Sequence, residues 1–384
     1  MSGCARRKVS TDPTKSFICD LPTEILHGIL EIMPIKYAAR TGTLSKQWRQ
    51  VWSTQPHLVF DPLFFQYVYN KGASAASVIH KILTQHIGNI LGFHLISKTD
   101  TLSQSDVDQF INFVSDHGIQ KLTLDMANDE KYALPDSIFT CATLTHLKLW
   151  RCIFKLPDGT QFPNLVSLQL EHSAIDSPVG SKNTTLILPM LETLELKFCV
   201  DVDSVDMVSP KLVNLSILSS YTVTFECFNV NPIFERIKHL CLDGSSLKVA
   251  KLLTHFLFYL QYFNLQHKIS VKRITCALCI LRNSPNLIEL DIDKVVKEEL
   301  FDYLSKAKNE VREALRMIRT VRLRKFKGKT TEMYLIEAML AHSPKLERMI
   351  VEQCKKTNAT NDNQHLKELG SYHRASPNAE IKYT

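Results

Sequence analysis

One spacing of apolar residues recurs along most of the chain and constrains its fold more than any other feature. The pattern is apolar-x-x-apolar-x-apolar, and its six clearest copies are Ile119/Leu122/Leu124, Leu144/Leu147/Leu149, Leu165/Leu168/Leu170, Leu191/Leu194/Leu196, Leu212/Leu215/Ile217 and Ile237/Leu240/Leu242. Weaker copies are Ile90/Phe93/Leu95, Leu287/Leu290/Ile292, Ile318/Val321/Leu323 and Leu346/Met349/Val351. Because side chains alternate between the two faces of a strand, the last two apolar residues of each copy would share a buried face.

The six clear copies begin at residues 119, 144, 165, 191, 212 and 237, each 21 to 26 residues after the one before. This period is that of leucine-rich repeats, in which each copy adds one short strand beside the last. Leucine is common enough to recur by chance, but six copies with one internal spacing make chance improbable. The sequence therefore predicts an irregular solenoid with parallel strands on its concave side and helices and loops outside.

Some segments between the strands have helical periodicity. In "SDVDQFINFVSDHG", Val107, Phe110, Ile111 and Val114 follow the i, i+3, i+4, i+7 spacing of one helix face. Ser105 is the predicted N-cap of this helix, and Gly118 follows its end. The stretches "KVAKLLTHFLFYLQYF" and "ALRMI" are also interpreted as helices.

The composition narrows the class of protein. A chain of 384 residues exceeds the usual size of one core, so two or three structural units are expected. No apolar run approaches 18 residues, and the basic start has no apolar segment behind it, so neither a membrane span nor a signal peptide is expected. The 10 cysteines show no compact disulfide framework. They indicate reduced thiols, and hence a cytoplasmic or nuclear protein.

The segment "DLPTEILHGILEIMP", Asp20 to Pro34, lies before the repeats and carries more apolar surface than one buried face requires. On a helix, its apolar residues cover an arc roughly 160° wide, against roughly 100° for a one-sided surface helix. Pro22 fits the first turn and Pro34 ends the helix, which predicts a helix of twelve residues. Further along, Ser45 is the predicted N-cap of another helix, with Trp48 and Trp52 four residues apart.

The segment from Phe17 to Asp61 closely resembles an F-box. The matching residues are Leu21-Pro22, Glu24-Ile25-Leu26, Ile29-Leu30, Pro34, Ala39-Arg40-Thr41, Leu44-Ser45-Lys46, Trp48-Arg49, Trp52 and Pro56. One departure is Gly42, inside the predicted second helix, where glycine costs about 1 kcal/mol relative to alanine. In that family the unit docks on a Skp-type adaptor, which tethers it to a cullin–RING ubiquitin ligase. The resemblance thus implies that part of the wide apolar arc is buried in a partner.

The resemblance continues to the C-terminus and covers nearly the whole chain. The stretch "IRTVRLRKFKGKTTEMYLIEAMLAHSPKLERMIVE" and then "YHRASPNAEI" resemble the FBD segment that follows leucine-rich repeats in a large plant F-box family. The fold class is therefore α/β: a three-helix F-box followed by the irregular solenoid. The predicted domains are a flexible N-terminus at 1–16, the F-box at 17–61, the repeats at 62–317 and the FBD-like segment at 318–384.

The resemblance implies a substrate receptor, a non-catalytic subunit of an SCF-type (Skp–cullin–F-box) ligase. The expected partners are the adaptor, through it cullin and RING subunits, and an unknown protein target. No cofactor, catalytic residue, metal site, membrane contact or nucleic-acid partner is expected. "KGKTT" lacks the glycine-rich part of a phosphate-binding loop, and Cys276 and Cys279 have no second pair at zinc spacing. Two alternatives stay open: an adaptor-bound scaffold without substrate delivery, and a nucleic-acid-binding solenoid suggested by the net charge of +7 and "VRLRKFKGK".

Two sets of site residues follow. The residues predicted to bind the adaptor are Leu21, Pro22, Ile25, Leu26, Ile29, Leu30, Pro34, Leu44 and Trp48. Those predicted to bind the target lie between the inward leucines and so point to the concave side: Lys121, Asp125, His146, Lys148, Trp150, Glu171 and Lys197. Trp150 is the proposed anchor, since aromatic residues are frequent binding hot spots.

The basic run has a simpler explanation than nucleic acid. Counted from the first apolar residue of each strand, Asp291 matches Arg322 in position, and Asp293 matches Arg324. If the two strands are neighbours, these acids and bases face each other, and each pair contributes roughly 0.2–1 kcal/mol. The gap of 31 residues between Leu287 and Ile318 leaves room for an unrecognised strand between them.

Overall fold

The structure is a computed structural model of the whole chain. It describes residues 18, 21–98, 102–126, 132–155, 161–176, 184–199, 205–218, 236–243, 257–266, 271–293, 308–354 and 368–384. The predicted flexible N-terminus, 1–16, lies outside these ranges. The chain divides into two compact units, residues 1–123 and 124–384.

The first unit begins with three short helices: α1 (Thr23–Glu31), α2 (Ile35–Thr41) and α3 (Lys46–Ser53). Pro22 and Pro34 directly precede α1 and α2, and the Ser45 side chain accepts a hydrogen bond from the Trp48 N–H at the start of α3. The predicted cap at Ser45 is thus confirmed. The predicted twelve-residue helix is shorter, because α1 has 9 residues and ends before its C-cap Ile32.

The rest of the first unit adds parallel strands and helices. In chain order these are β1 (His57–Phe60), α4 (Pro62–Asn70), α5 (Ala75–Thr84), β2 (Gly92–Ser97) and α6 (Gln104–Asp116). The two strands pair in parallel, with Leu58 opposite Phe93. The cap of α6 is Ser103 and not the predicted Ser105, because Ser103 forms a reciprocal capping box with Asp106. Gly118 follows the helix with φ +79°, as glycine at that position predicts.

A longer series of strands follows, beginning with β3 (Lys121–Met126), which contains the boundary between the units. The next strands are β4 (Tyr132–Ala133), β5 (His146–Trp150), β6 (Cys152–Lys155), β7 (Ser167–Glu171), β8 (Ala174–Asp176), β9 (Thr184–Ile187), β10 (Thr193–Lys197), β11 (Val205–Val208), β12 (Asn214–Leu218), β13 (His239–Asp243) and β14 (Tyr262–Gln266). The remaining elements are α7 (Val271–Arg282), β15 (Glu289–Ile292), α8 (Lys308–Leu315), β16 (Thr320–Phe326), α9 (Thr330–His342), β17 (Arg348–Gln353) and β18 (Glu380–Tyr383).

The predicted parallel sheet is confirmed in the second unit. Its main sheet runs in the order β5-β7-β10-β12-β13-β14-β15-β16-β17-β18, and every neighbouring pair is parallel. The registers align the repeated leucines, so that Leu168 lies between Leu147 and Leu194. These leucines are buried. The side chains that alternate with these leucines point to the other side of the sheet, which we call the open sheet face.

One strand of this sheet was not predicted from the sequence. Strand β14 lies between β13 and β15, with Leu260, Phe263 and Leu265 buried at the repeat positions. This region belongs to "KVAKLLTHFLFYLQYF", whose prediction as a helix is wrong for its end at Tyr262 and Phe263; residues 248–256 lie outside the described ranges. "ALRMI" is helical only in its first two residues, since α8 ends at Leu315.

Two smaller parallel sheets were also not predicted. One has the order β4-β6-β8 and the other pairs β9 with β11. Their strands have two to four residues, too short for a clear periodicity. In the second unit the described connections between β3 and β12 carry these strands, whereas α7, α8 and α9 precede β15, β16 and β17. Within the described part of this unit, the α-helices expected between repeats therefore lie before its C-terminal strands.

A ladder of Cys and Ser side chains closes the turn after three strands. Cys152, Ser173 and Cys199 each lie two residues beyond a strand and are fully buried. The Cys199 thiol donates to the Leu170 carbonyl at 3.3 Å, and the Ser173 hydroxyl donates to the Glu171 carbonyl at 3.0 Å. The Ser173 oxygen also accepts from the Cys152 N–H at 3.2 Å. These bonds satisfy backbone groups where the strands end.

Candidate protein-interaction surfaces

The helices α1, α2 and α3 share a core of their own. Leu26 and Leu30 from α1 pack with Ala38, Trp48 and Val51, and all five side chains are buried. The wide apolar arc of α1 is therefore buried at one edge and exposed at the other. Its Leu26 and Leu30 edge faces this core, Ile29 and Met33 are partly buried against it, and Ile25 and Ile32 form the outer edge.

Several large apolar side chains of this unit remain exposed. Ile32 is 83% exposed, Leu44 71% and Ile25 52%. Ile25 and Ile32 lie on one side of the helix axis, because seven residues make almost two turns. Ile18 and Tyr37 are also exposed. The exposed F-box residues, as we call Ile18, Ile25, Ile32, Tyr37 and Leu44, are the candidate surface for a partner.

The residues predicted to bind the adaptor differ in their exposure. Leu26, Leu30 and Trp48 are buried in the unit's own core and are therefore not on its surface. Leu21 and Ile29 are partly buried against that core, while Pro22, Ile25, Pro34 and Leu44 are exposed. Sequence reasoning missed Ile18, Ile32 and Tyr37 as surface candidates. The signal for Ile32 was present, since it lies at the edge of the arc opposite Leu30.

Gly42 has a different role from the one expected. Gly42 is the C-cap of α2, not an interior residue, with an ordinary φ of −58°. A Cβ added there would lie 3.3 Å from the Ala39 carbonyl oxygen and 3.6 Å from the Arg49 Cα. The small residue thus allows the end of α2 to approach α3 closely.

A polar network lies beside the helical core. The Gln55 side chain donates to the His27 carbonyl at 3.3 Å, and the His27 ring bonds the Thr54 hydroxyl at 3.1 Å. The His86 Nε2 contacts the Gln55 carbonyl at 2.9 Å. Burial lowers the pKa of His86 below its ordinary value, which the contact to the Gln55 carbonyl only partly offsets. These contacts connect α1 and α3 to the residues after α5.

The open sheet face holds the candidate target residues of the second unit. His146 and Lys148 are exposed there, and Trp150 and Glu171 are half-buried neighbours in register. Asp125 is buried and its carboxylate lies 3.1 Å from the Arg151 guanidinium. Asp125 is therefore committed to an internal ion pair, which weakens its assignment to a target. Lys121, in the first unit, is exposed on β3.

Lys197 also has an internal partner. Its ammonium lies 2.6 Å from the Glu195 carboxylate. Burial alone would lower the pKa of Lys197, but the hydrogen bond and charge of Glu195, aided by Glu171, raise it above the ordinary value. Lys197 thus stays charged between two carboxylates.

The predicted neighbours Asp291 and Arg322 are in register on β15 and β16, with no strand between them. The ion pairs, however, are shifted along the strand. Asp291 accepts from Arg324 at 2.6 Å, and Arg322 lies 3.6 Å from Glu352. The expected partner of Asp293, Arg324, is replaced by Lys325 at 2.8 Å. The irregularity of β16 after Leu323 moves these bases relative to the acids.

Asp291 is the centre of a buried polar cluster. Its Oδ2 accepts from the Tyr262 hydroxyl at 3.1 Å as well as from Arg324, and the Asn264 amide donates to Tyr262 at 3.0 Å. Burial raises the pKa of Asp291, although Arg324 opposes the shift. Asp291 Oδ1 and Asn264 Oδ1, on neighbouring strands, are buried and have no hydrogen-bond partner among the described residues.

The loop "KGKTT" begins α9 and its amides are already occupied. Glu332, a buried residue in the first turn, accepts from the backbone N–H groups of Lys327 at 2.9 Å and Lys329 at 3.1 Å. The protein's own carboxylate thus takes the position at which a phosphate would bind a helix N-terminus.

Within the described ranges, no group of three or more His, Cys, Asp or Glu side chains could hold a metal ion. No described helix is long and apolar enough to cross a membrane. Among the described cysteines, Cys141, Cys152, Cys199, Cys241, Cys279 and Cys354 carry free thiols.

Two family models match the chain. An F-box domain model matches residues 18–60, the unit with the exposed apolar residues. A model described as "FBD-associated F-box protein At5g56370, LRR repeats" matches residues 107–254, which include the strands β3 to β13 of the repeat region. The two matches thus fall on the two candidate surfaces.

Curated relatives share this arrangement. The F-box/FBD/LRR-repeat protein At1g13570 of Arabidopsis thaliana is 26% identical over 417 aligned residues, which cover 96% of this chain and 98% of the relative. F-box/LRR-repeat protein 25 of the same plant is 30% identical over 196 residues, 50% of this chain and 70% of the relative. F-box/LRR-repeat protein At5g02910 is 31% identical over 50% of this chain, which spans 40% of the relative.

A helical F-box followed by a leucine-rich-repeat sheet defines a protein-interaction molecule with two docking modules. The chain belongs to the plant F-box/FBD/LRR-repeat family. Its F-box implies a Skp-type adaptor as one partner, and its repeats imply a protein target as the other.

Proposed function

We propose that this chain is the substrate-recognition subunit of an SCF-type ubiquitin ligase. The F-box binds the Skp-type adaptor, which connects the chain to the cullin and RING subunits, and the repeats bind the target protein. The chain itself is non-catalytic. It raises the effective concentration of the target near the ubiquitin-carrying enzyme, in the cytoplasm or the nucleus.

The observation that carries this proposal is the exposure of large apolar side chains on an F-box whose core is already complete. Ile32, Leu44 and Ile25 contribute nothing to that core. Burying each aliphatic side chain stabilises a complex by about 1.5–3 kcal/mol. A partner that covers these residues therefore gains a large apolar contact without disturbing the fold.

The adaptor proposal predicts a clear effect of charge at this surface. Replacing Ile32→Asp and Leu44→Asp together should abolish co-purification with the adaptor, because a carboxylate would be buried at each contact. Pull-down of the adaptor with the full-length chain measures this effect.

The matched control is Leu63→Asp, at an exposed apolar residue of the same unit outside the F-box match. This variant should retain the adaptor. Circular dichroism checks that all variants are folded. Equal adaptor recovery by the double variant and the wild type would contradict the proposal.

Three cations of the basic run favour a protein target over a nucleic acid. Arg322, Arg324 and Lys325 each lie within 4 Å of an acidic side chain. Their charges are thus largely balanced within the sheet. A nucleic-acid surface would instead leave such cations open to phosphates.

A further inference from the structure

The short turns that precede the main-sheet strands from β10 to β17 lie side by side along one edge of the sheet. These strands are consecutive neighbours and all parallel, so the residues directly before them share that edge. Contacts between adjacent turns show the alignment. The Lys211 ammonium lies 3.0 Å from the Met190 sulfur, and the Lys345 ammonium lies 3.4 Å from the Met317 sulfur. We call the exposed side chains in the four residues before each of these strands the turn edge.

The turn edge is basic. Its described charged residues are six cations and two acids, a net charge of +4: Lys211, Arg236, Lys238, Arg316, Arg319 and Lys345 against Glu192 and Glu347. Among the described residues, only Arg319 of these cations has an acidic partner, Glu347 at 3.2 Å. The charged residues that border the edge on strands and helices balance one another, three of each sign: Arg282, Arg312 and Arg348 against Glu289, Glu313 and Glu380. The excess of positive charge therefore belongs to the turns themselves.

Exposed apolar side chains interrupt these cations at the turn before β14. Phe258 is 58% exposed and Tyr259 53%, and their rings meet edge to face, 5.3 Å apart at an interplanar angle of 84°. Ile288, before the next strand β15, is 45% exposed, and its N–H donates to the Gln261 carbonyl at 2.9 Å. We call Phe258, Tyr259 and Ile288 the apolar patch.

The turn before β14 does not require these aromatic side chains. It is closed by a hydrogen bond from the Leu260 N–H to the Leu257 carbonyl at 3.2 Å. The turn before β15 is closed in the same way at 3.1 Å, from Leu287 to Ser284, around Pro285-Asn286. Because proline and asparagine are common turn residues, they would form the turn before β14 as well. The two rings instead expose apolar area, as a surface that binds another molecule does.

We propose that the turn edge binds an acidic segment of the target protein, with an apolar side chain of that segment on the apolar patch. The inference rests on the proposed function, because it specifies the target that the repeats recognise. Arg236 and Lys238, before β13, lie on one side of the patch, and Arg316, before β16, lies on the other. Neighbouring strands are about 4.8 Å apart, so these cations span roughly 14 Å, the length of four to five extended residues. A short segment with carboxylates on both sides of an apolar residue therefore matches the edge in charge and in length.

A single-stranded nucleic acid is the other anionic polymer that such an edge would attract. Its successive bases stack on the faces of successive aromatic side chains. Here both rings belong to one turn, meet edge to face and adjoin the aliphatic Ile288. The apolar patch therefore fits an amino-acid side chain such as leucine better than a run of bases.

A random peptide library displayed on phage tests this proposal with the purified full-length chain as bait. Selected peptides should carry aspartate or glutamate on both sides of an apolar residue. Fluorescence anisotropy of one such labelled peptide should show about tenfold weaker binding to the Arg236→Glu and Lys238→Glu double variant, because the charges then repel. The Phe258→Pro and Tyr259→Asn double variant should also bind about tenfold more weakly, since it removes the aromatic anchors. It copies the Pro285-Asn286 turn and should therefore fold normally.

The matched control is the Lys71→Glu and Lys81→Glu double variant, which makes the same change of charge at two exposed lysines of the first unit and should leave binding unchanged. A peptide whose acids are replaced by lysine should bind the Arg236→Glu and Lys238→Glu variant more tightly than it binds the wild type, which separates loss of charge from misfolding.

Selected peptides without the acidic and apolar pattern, or acidic peptides that bind both turn-edge variants as tightly as the wild type, would overturn the proposal. An oligothymidylate that binds more tightly than any selected peptide, and loses binding in the same two variants, would assign the edge to nucleic acid instead. Because the adaptor takes no part in this assay, its outcome is independent of the adaptor pull-down.

Discussion

The carboxylate of Asp291 is fully buried, and only a few specific contacts stabilise its negative charge. Arg324 and Tyr262 donate to one oxygen, whereas the other oxygen has no partner in the part of the chain that the structure describes. Such a group is expensive to leave unpaired in the low-dielectric interior of a protein. The sequence predicted that the acids of β15 would face bases of β16 across the sheet. It could not predict which base reaches Asp291, because this depends on the irregularity of β16 and the reach of each guanidinium.

A double-mutant cycle measures the contact at this residue. Asp291→Asn and Arg324→Gln should be coupled by roughly 0.5–3 kcal/mol, because each removes the charge that the other needs. Chemical unfolding of the four proteins gives the coupling energy. The cycle of Asp291→Asn with Arg322→Gln is the control and should show a smaller coupling, since Arg322 lies against Glu352. The reverse order of the two couplings would contradict the observed pairing.

At the scale of single elements, local side-chain contacts decide where each helix begins. Two serines lie two residues apart at the start of α6, and both resemble N-caps in sequence, because each has an acid three residues later, Asp106 or Asp108. Only Ser103 forms the capping box, with Asp106. Ser105 lies inside the helix and is exposed.

This difference predicts that replacing each serine by alanine will lower the free energy of unfolding by different amounts. Ser103→Ala should lower the free energy of unfolding by about 0.5–2 kcal/mol, because it removes the bond to the Asp106 N–H. Ser105→Ala should change it by less than about 0.5 kcal/mol. Urea unfolding followed by circular dichroism compares the two variants. A larger cost at Ser105 would show that the helix begins elsewhere.

The strands of the main sheet were predictable where leucine occupies the repeat positions. All ten predicted copies of the pattern lie in strands or directly before them, from β2 to β17. Strand β14 was missed although Leu260, Phe263 and Leu265 follow the repeat spacing, because the apolar run that contains them also fits a helix. It was also not predictable which edge of the α1 apolar arc is buried and which is exposed. Its inward edge is determined by the packing of Trp48 and Val51 from α3, which one helix's periodicity does not contain.

At the scale of the whole molecule, the two proposed docking functions lie in separate compact units. The exposed F-box residues belong to residues 1–123, and the open sheet face that holds Trp150 and Glu171 belongs to residues 124–384. Each unit has its own buried residues. A surface substitution in one unit should therefore leave the binding function of the other intact.

This separation predicts that a chain unable to bind the adaptor traps its target. The Ile32→Asp and Leu44→Asp variant should capture more target in cells than the wild type does, because bound target is no longer ubiquitinated and degraded. Proteasome inhibition should raise capture by the wild type to a similar level. Quantitative mass spectrometry of purified complexes measures both. If neither the variant nor the inhibitor changed target recovery, the chain would be an adaptor-bound scaffold without substrate delivery.

The Cys and Ser ladder has a consequence for how the repeats can be observed. Burial raises the pKa of the Cys152 thiol to about 12, so it is protonated and shielded at neutral pH. Alkylating reagents attack the thiolate, and they reach this sulfur only when the turn opens. The Cys199 thiol is buried in the same way. The rates at which Cys152 and Cys199 are alkylated therefore report how often adjacent repeats separate.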